Sequence, residues 1–303
     1  MCPDSPAASP SPRIGRVGLV AKRGLQEASG HLLDIASWLD ARGVGVVFER
    51  ETAALAGTDR QPQPDRDSLP SIVDMILVLG GDGTLLAMAD RIAATGTGIP
   101  ILGVNFGSLG FLTEITLPEL YPSLEAALAG RARIDRRLML RAATARAGEP
   151  FQESVALNDV VITKGALSRI IALSIWVDDD FVTDVRADGL IIASATGSTA
   201  YNLAANGPIM HPAVDALLLT PIAPHTLTNR PVVIPGGSRV RVQPAIDHTS
   251  DEVYLTFDGQ TGFRLEAGDV VTVHQAEQPL RLVRASTRTY FQILRQKLRW
   301  GER

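Results

Sequence analysis

Five consecutive apolar residues, Met75-Ile76-Leu77-Val78-Leu79, run into Gly80-Gly81-Asp82-Gly83-Thr84 and then into an Ala/Leu-rich stretch at 85–94. An apolar run of strand length with no polar face predicts a central parallel strand covered on both sides. The segments around it fit that frame. Before it come a strand-like Val17-Gly18-Leu19-Val20, a helical stretch at 25–41 and β-branched residues at 44–48. After it come a strand at 99–106, a loop at 107–115 and a helix at 118–129, opened near Pro118 and stopped by Gly130. The polar stretch 57–70, with Pro62, Pro64 and Pro70, reads as a surface loop. Strands alternating with helices imply a doubly wound, Rossmann-like α/β domain.

Beyond residue 134 the rhythm changes. Strand-like pieces at 138–145, 155–163, 170–177, 190–194, 232–234, 239–242, 253–257 and 270–274 dominate, punctuated by Pro235-Gly236-Gly237 and Ala267-Gly268-Asp269. This predicts a β-rich, β-sandwich-like second domain. Helical spacing returns at 289–300 through Tyr290, Leu294 and Leu298. The expected organisation is an α/β domain at 13–134, a β-rich domain at 135–285, and a C-terminal helix at 286–303 packing back on the first domain.

Composition narrows the function classes. With 303 residues, 45% hydrophobic and 20% charged, the chain can bury a sizeable core and is not a disordered one. A net charge of -4 lacks the basic excess of a nucleic-acid binder. The single cysteine, Cys2, closes no internal disulfide and builds no metal knuckle, which fits a reducing compartment. Residues 1–12 are Pro/Ser-rich without a basic cluster, and the apolar run at 217–222 is broken by Pro221 and Pro224. The expectation is a soluble, cytoplasmic protein.

Two constellations carry chemistry. In the first, glycines at the end of a buried strand let backbone N–H groups approach a phosphate or sugar, beside the carboxylate of Asp82. Open α/β sheets bind ligands at that end of their strands. An isolated Asp-Gly pair would instead be a tight turn with a capping aspartate. The second is Asp188-Gly189-Leu190-Ile191-Ile192-Ala193-Ser194-Ala195-Thr196-Gly197-Ser198-Thr199-Ala200-Tyr201-Asn202, a carboxylate and an apolar strand delivering a turn of hydroxyls and small residues. Such a turn suits a base edge, ribose hydroxyls or phosphate. Taken alone it reads equally as a Ser/Thr-rich cap opening a helix at Tyr201. No Walker A loop, no Gly-x-Gly-x-x-Gly, no His-Glu-x-x-His and no Gly-x-Ser-x-Gly occurs.

Together these strings resemble the NAD kinase family over nearly the whole chain. Further matches are Gly103-Val104-Asn105 with Gly110-Phe111-Leu112-Thr113-Glu114, Leu157-Asn158-Asp159-Val160-Val161, Gly207-Pro208-Ile209, Pro221-Ile222-Ala223-Pro224-His225 and Asp258-Gly259-Gln260. Gly-Gly-Asp-Gly is shared with lipid kinases and phosphofructokinases; Thr-Gly-Ser-Thr-Ala-Tyr is narrower. The resemblance implies transfer of a phosphoryl group from ATP or a related donor to the 2′-hydroxyl of the adenosine ribose of NAD. It implies Asp82 as general base, with the proton moving late because a carboxylate is a weak base, and Gly83 lying against the sugar. It further implies dinucleotide contacts from Asn158, Asp159, Asp188, Thr199, Ala200, Tyr201, Asn202, Leu203, Ala204 and Gln260, with Arg169 and Arg186 meeting phosphate charge.

The family's divalent metal, Mg²⁺, is expected to arrive with the nucleotide, since no dedicated cage of metal ligands is visible, and a homodimer or homotetramer is implied. The partners are then small molecules, with no nucleic acid and no membrane. Asp159 stands where Glu is usual, Ala193-Ser194-Ala195 replaces a Ser/Thr-Thr-Pro string, and Ala205-Asn206-Gly207 replaces a Gly-Gly pair. Those departures bear on substrate preference rather than on reaction class. Two rivals are a lipid kinase sharing the first motif and an NAD-binding sensor without turnover. His225 reads as a buried histidine or a ligand contact, and His31, His211, His248 and His274 have no clustered partners.

Overall fold

The structure, a computed structural model, describes residues 14–107, 109–166, 168–226, 228–246, 252–285 and 288–300. Residues 1–13, with Cys2, and His248 lie outside the described residues. The chain divides into two compact units, residues 1–135 with 281–303 and residues 136–280.

The first unit begins β1 (Arg16–Ala21), α1 (Ala28–Asp40), β2 (Gly45–Phe48), α2 (Arg50–Ala56), β3 (Met75–Gly80), α3 (Asp82–Thr95), β4 (Pro100–Asn105), β5 (Ile115–Thr116), α4 (Leu120–Leu128) and β6 (Arg133–Arg137). Every residue of β3 and β4 is buried, the reason that β3 reads as an unbroken apolar run. Sheet order is β2-β1-β3-β4, all parallel. The chain steps from β1 to β2 in one direction and from β3 to β4 in the other. With right-handed crossovers, that reversal puts α1 and α3 on opposite faces and opens a switch point between the carboxyl ends of β1 and β3. On the α1 face, Leu32, Ile35 and Leu39 share a core with Leu19, Leu77, Leu79, Phe48 and Leu124.

The second unit contains β7 (Leu140–Arg146), β8 (Glu149–Ala156), β9 (Asp159–Lys164), β10 (Ile171–Val177), β11 (Asp180–Ala187), β12 (Gly189–Ser194), α5 (Tyr201–Ala204), β13 (Ala216–Ile222), β14 (Val232–Pro235), β15 (Val240–Ala245), β16 (Val253–Phe257), β17 (Thr261–Leu265) and β18 (Val270–Gln275). They form two antiparallel six-stranded sheets, β11-β10-β15-β18-β7-β8 and β14-β13-β12-β9-β16-β17. Leu173, Ile175, Val242 and Val273 of the first share a core with Ile162, Leu190, Leu217 and Leu255 of the second. The second sheet is covered on its outer face as well, where Val161, Ile191 and Leu218 meet Ala195 and Met210.

The sequence reading changes at several points. The expected strand 155–163 is two strands, β8 and β9, broken at Leu157-Asn158. The helix expected from residue 85 starts at Asp82, so the aspartate is in its first turn rather than in a free loop. One element near the end of the chain was not anticipated, whereas the helix expected at 289–300 is present as Tyr290–Leu298. β19 (Leu280–Arg284) pairs parallel with β4 and restores the chain to the first sheet before α6 (Tyr290–Leu298). Arg284 then bonds the buried Glu114 at 2.6 Å and Asp135 at 3.1 Å, and Arg288 bonds Glu119 at 2.9 Å, which fastens the C-terminal segment to the stretch following Thr113.

Candidate active site

Asp82 occupies the first turn of α3, with Gly81 as an extended N-cap that supplies no side chain. A carboxylate there is favoured by the positive end of the helix dipole. Its oxygens are held by the loop that follows β4. Oδ2 accepts the Phe111 N–H at 2.8 Å; Oδ1 accepts the Leu112 N–H at 3.2 Å, the Thr113 N–H at 2.9 Å and the Thr113 hydroxyl at 2.8 Å. The loop closes so tightly that a Cβ on Gly110 would lie 2.0 Å from Oδ1. Gly110 is therefore a glycine because of close approach. Gly83, one residue on, is exposed at the same helix terminus.

In the second unit three segments converge at one end of the β9/β12 pair. Asp258, at the tight turn after β16, accepts the N–H groups of Leu157, Asn158 and Asp159 at 2.8, 2.7 and 3.0 Å. That grip produces the break between β8 and β9. Ser194 donates its N–H to the Asn158 carbonyl at 2.9 Å and its hydroxyl to the Leu157 carbonyl at 2.6 Å. Asn158, Asp159, Tyr201 and the turn bearing Gln260 are thus brought together, with the Tyr201 ring 45% exposed at the surface.

Asn202 behaves differently. Its side chain is fully buried, donating to the Ser198 and Pro208 carbonyls at 3.0 and 3.1 Å while Oδ1 accepts the Thr220 hydroxyl at 2.6 Å. That side chain holds the turn. Thr199, Ala200 and Leu203 are half-buried and Ala204 is exposed on the same short segment.

Asp159 is 4% exposed and accepts the Tyr201 backbone N–H. Burial, reinforced by the neighbouring Asp258 carboxylate, pushes its carboxyl up to about 7 against the opposing pull of that hydrogen bond. Raised above its value in the unfolded chain, this group adds stability that is fully present below about pH 4 and is lost as pH rises through about 7. Between those limits the Asp159 contribution is expected to fall by up to about 1.4 kcal/mol per pH unit. Thermal melts of the wild type and Asp159→Asn across pH 4–8 check this: the variant should lose that part of the slope, and an unchanged slope would refute it.

Not every expected contact joins this cluster. Asp188 sits at the opposite end of β12 from Ser194, about 20 Å away at ~3.3 Å per residue, with Lys164 Nζ 3.7 Å from its carboxylate. Arg186 is exposed near it, its carbonyl accepting the His225 N–H, and His225 is exposed rather than buried. Arg169 is exposed on the segment between β9 and β10. Asp184 bonds the Ser174 hydroxyl at 2.6 Å.

Residues 17–132 match the ATP-NAD kinase N-terminal domain and residues 157–285 the ATP-NAD kinase C-terminal domain. The chain belongs to the ATP-NAD kinase family. Among its relatives, the NAD kinase of Geotalea daltonii is 45% identical over 288 residues, covering 95% of this chain and 99% of that one. The NAD kinase of Solibacter usitatus is 43% identical over 293 residues, 96% and 100% of the two chains. Yeast NADH kinase complexed with NADH superposes with a TM-score of 0.85 at 24% identity, over 96% of this chain and 89% of that one. An NAD kinase from Archaeoglobus fulgidus in complex with ATP gives 0.72 at 25% identity, over 94% and 98%. In this NAD kinase family member, sequence reasoning missed Thr113 as a group that holds Asp82 in the first unit and Asp258 as the group that holds the 157–159 turn in the second. The sequence holds only a local hint of each, since Asp258 precedes a glycine and Thr113 lies three residues after Gly110; in the structure Asp258 adopts φ 51°.

Proposed function

We propose that this chain phosphorylates NAD to NADP with ATP or a related donor, and that Asp82 is its general base. The observation that carries the base assignment is the asymmetry of the carboxylate: Oδ1 accepts three donors and Oδ2 one, so Oδ2 keeps a lone pair to receive a proton. The 2′-hydroxyl oxygen of the adenosine ribose bonds to the donor's γ-phosphorus and its proton passes to Oδ2. The bond from the γ-phosphorus to the β,γ-bridging oxygen breaks, and the diphosphate leaves with that electron pair.

Asn158, Asp159, Gln260 and the 199–204 segment receive the dinucleotide, with the exposed Tyr201 ring offering a stacking face. Arg169, Arg186 and Asp188 are the remaining proposed contacts. A homodimer or homotetramer is the proposed assembly. A divalent ion, Mg²⁺, would arrive with the donor and neutralise its phosphate charge. The cytoplasm is the proposed location; among the described residues no helix is long and apolar enough to cross a membrane.

A coupled assay for NADP with NAD, ATP and Mg²⁺ tests the reading, run in parallel with a diacylglycerol acceptor. Formation of NADP without lipid phosphorylation is expected. Lipid turnover alone would move the chain to another kinase class, and tight NAD binding without product would make it a sensor.

A further inference from the structure

The hydroxyl of Thr113 has a direction as well as a position. Thr113 is fully buried and Asn105, at the end of β4, is 7% exposed. Asn105 Oδ1 accepts the Gly107 N–H at 2.5 Å, which turns its amide nitrogen toward the loop, where Nδ2 lies 3.1 Å from Thr113 Oγ1. An amide nitrogen can only donate, so Oγ1 is the acceptor in that contact and its single proton is left for another partner. Asp82 Oδ1, 2.8 Å away, takes it. The chain of donors runs Asn105 to Thr113 to Asp82, and it ends on the oxygen that already accepts two N–H groups.

We infer that Thr113, oriented by Asn105, is a positioning residue that holds the Asp82 carboxylate with Oδ1 turned into the loop and Oδ2 presented to the substrate hydroxyl. The inference rests on the reading of Asp82 as general base. Backbone N–H groups already hold both carboxylate oxygens, two on Oδ1 and one on Oδ2. The hydroxyl adds a donor whose line of approach is fixed by a second buried side chain. A base misplaced by a fraction of an ångström loses rate without losing substrate.

Steady-state kinetics on five variants tests it. Thr113→Val, which keeps the shape and removes the hydroxyl, is expected to lower kcat ~10-fold with KM for NAD within about threefold. Thr113→Ser should recover most of that kcat. In an Asp82→Asn background, Thr113→Val should cost less than about twofold more, because no base remains to be positioned. Asn105→Ala, which leaves Thr113 and Asp82 in place, should lower kcat in the same sense with KM for NAD again little changed.

Wild-type kcat in folded Thr113→Val overturns the inference. So does a loss that serine does not recover, a rise in KM that matches the fall in kcat, or an effect fully additive with Asp82→Asn. If Thr113→Val does not fold, Asn105→Ala decides alone. If Asp82→Asn itself keeps wild-type kcat, the base assignment fails first, and that result is distinct from any of these.

Discussion

Asp82→Asn is expected to lower kcat by ~10²-fold or more while KM for NAD stays within about tenfold, the usual size of a lost acid/base contribution. The hydrogen-bond inventory of the site sets this outcome. Asparagine has one acceptor oxygen and one NH₂ group, and the three donors converging on Oδ1 oblige the oxygen to sit there. The NH₂ then occupies the place of Oδ2, where a proton acceptor is needed. It also faces the Phe111 N–H, donor against donor, so one loop hydrogen bond is lost at about 1 kcal/mol. That is too little to unfold the unit. The groups proposed to bind the dinucleotide belong to the other unit and keep their contacts. Initial-rate kinetics with varied NAD, alongside a thermal melt, separates the two effects. Unchanged turnover would remove Asp82 from the chemistry and leave it a loop clamp.

How much of this was legible in the sequence follows from how local each determinant is. β3 announced itself because burial on both faces forces an unbroken apolar run. The same logic made β12 visible inside an antiparallel sheet, because Ala195 and Met210 cover the face that would otherwise be solvated. β19 was invisible for the opposite reason. Its Leu-Arg-Leu-Val-Arg is short and only partly alternating, and the contact that places it, Arg284 with Glu114, lies 170 residues earlier in the chain. The break between β8 and β9 was equally out of reach, since Asp258 imposes it from about 100 residues away.

Motif resemblance identified the strings that matter but could not sort their side chains. Asn202, in the narrowest motif, spends its amide on Ser198, Pro208 and Thr220. Tyr201 beside it is exposed. Nothing in the order of those two letters says which one faces a ligand.

Gly197→Ala is expected to damage the second unit severely. Ala is compatible with the backbone there, and the obstacle is steric: a Cβ would lie 2.0 Å from the Asn158 carbonyl oxygen, 2.5 Å from its carbon and 2.7 Å from its Cα. All three are backbone atoms, so no side chain can swing aside. Relief requires the turn after β12 to move by about 1 Å from the strand start that Asp258 holds in place. The move pulls on the Ser194 bonds to the Leu157 and Asn158 carbonyls. Ser194 is fully buried, and a buried hydroxyl or carbonyl left unpaired costs about 1–3 kcal/mol on top of the overpacking. The total is expected to be about 3 kcal/mol or more, read as a lower denaturant midpoint. Affinity for NAD should fall at least ~10²-fold by calorimetry, because Asn158, Asp159 and Tyr201 lose their common frame. Asp82 and its loop lie in the other unit, so the prediction is specific: binding collapses while the first unit keeps its fold. A Gly197→Ala protein with wild-type stability and affinity would mean that the turn and the Asn158 strand are not locked together, and the dinucleotide pocket proposed on that lock would have to be placed elsewhere.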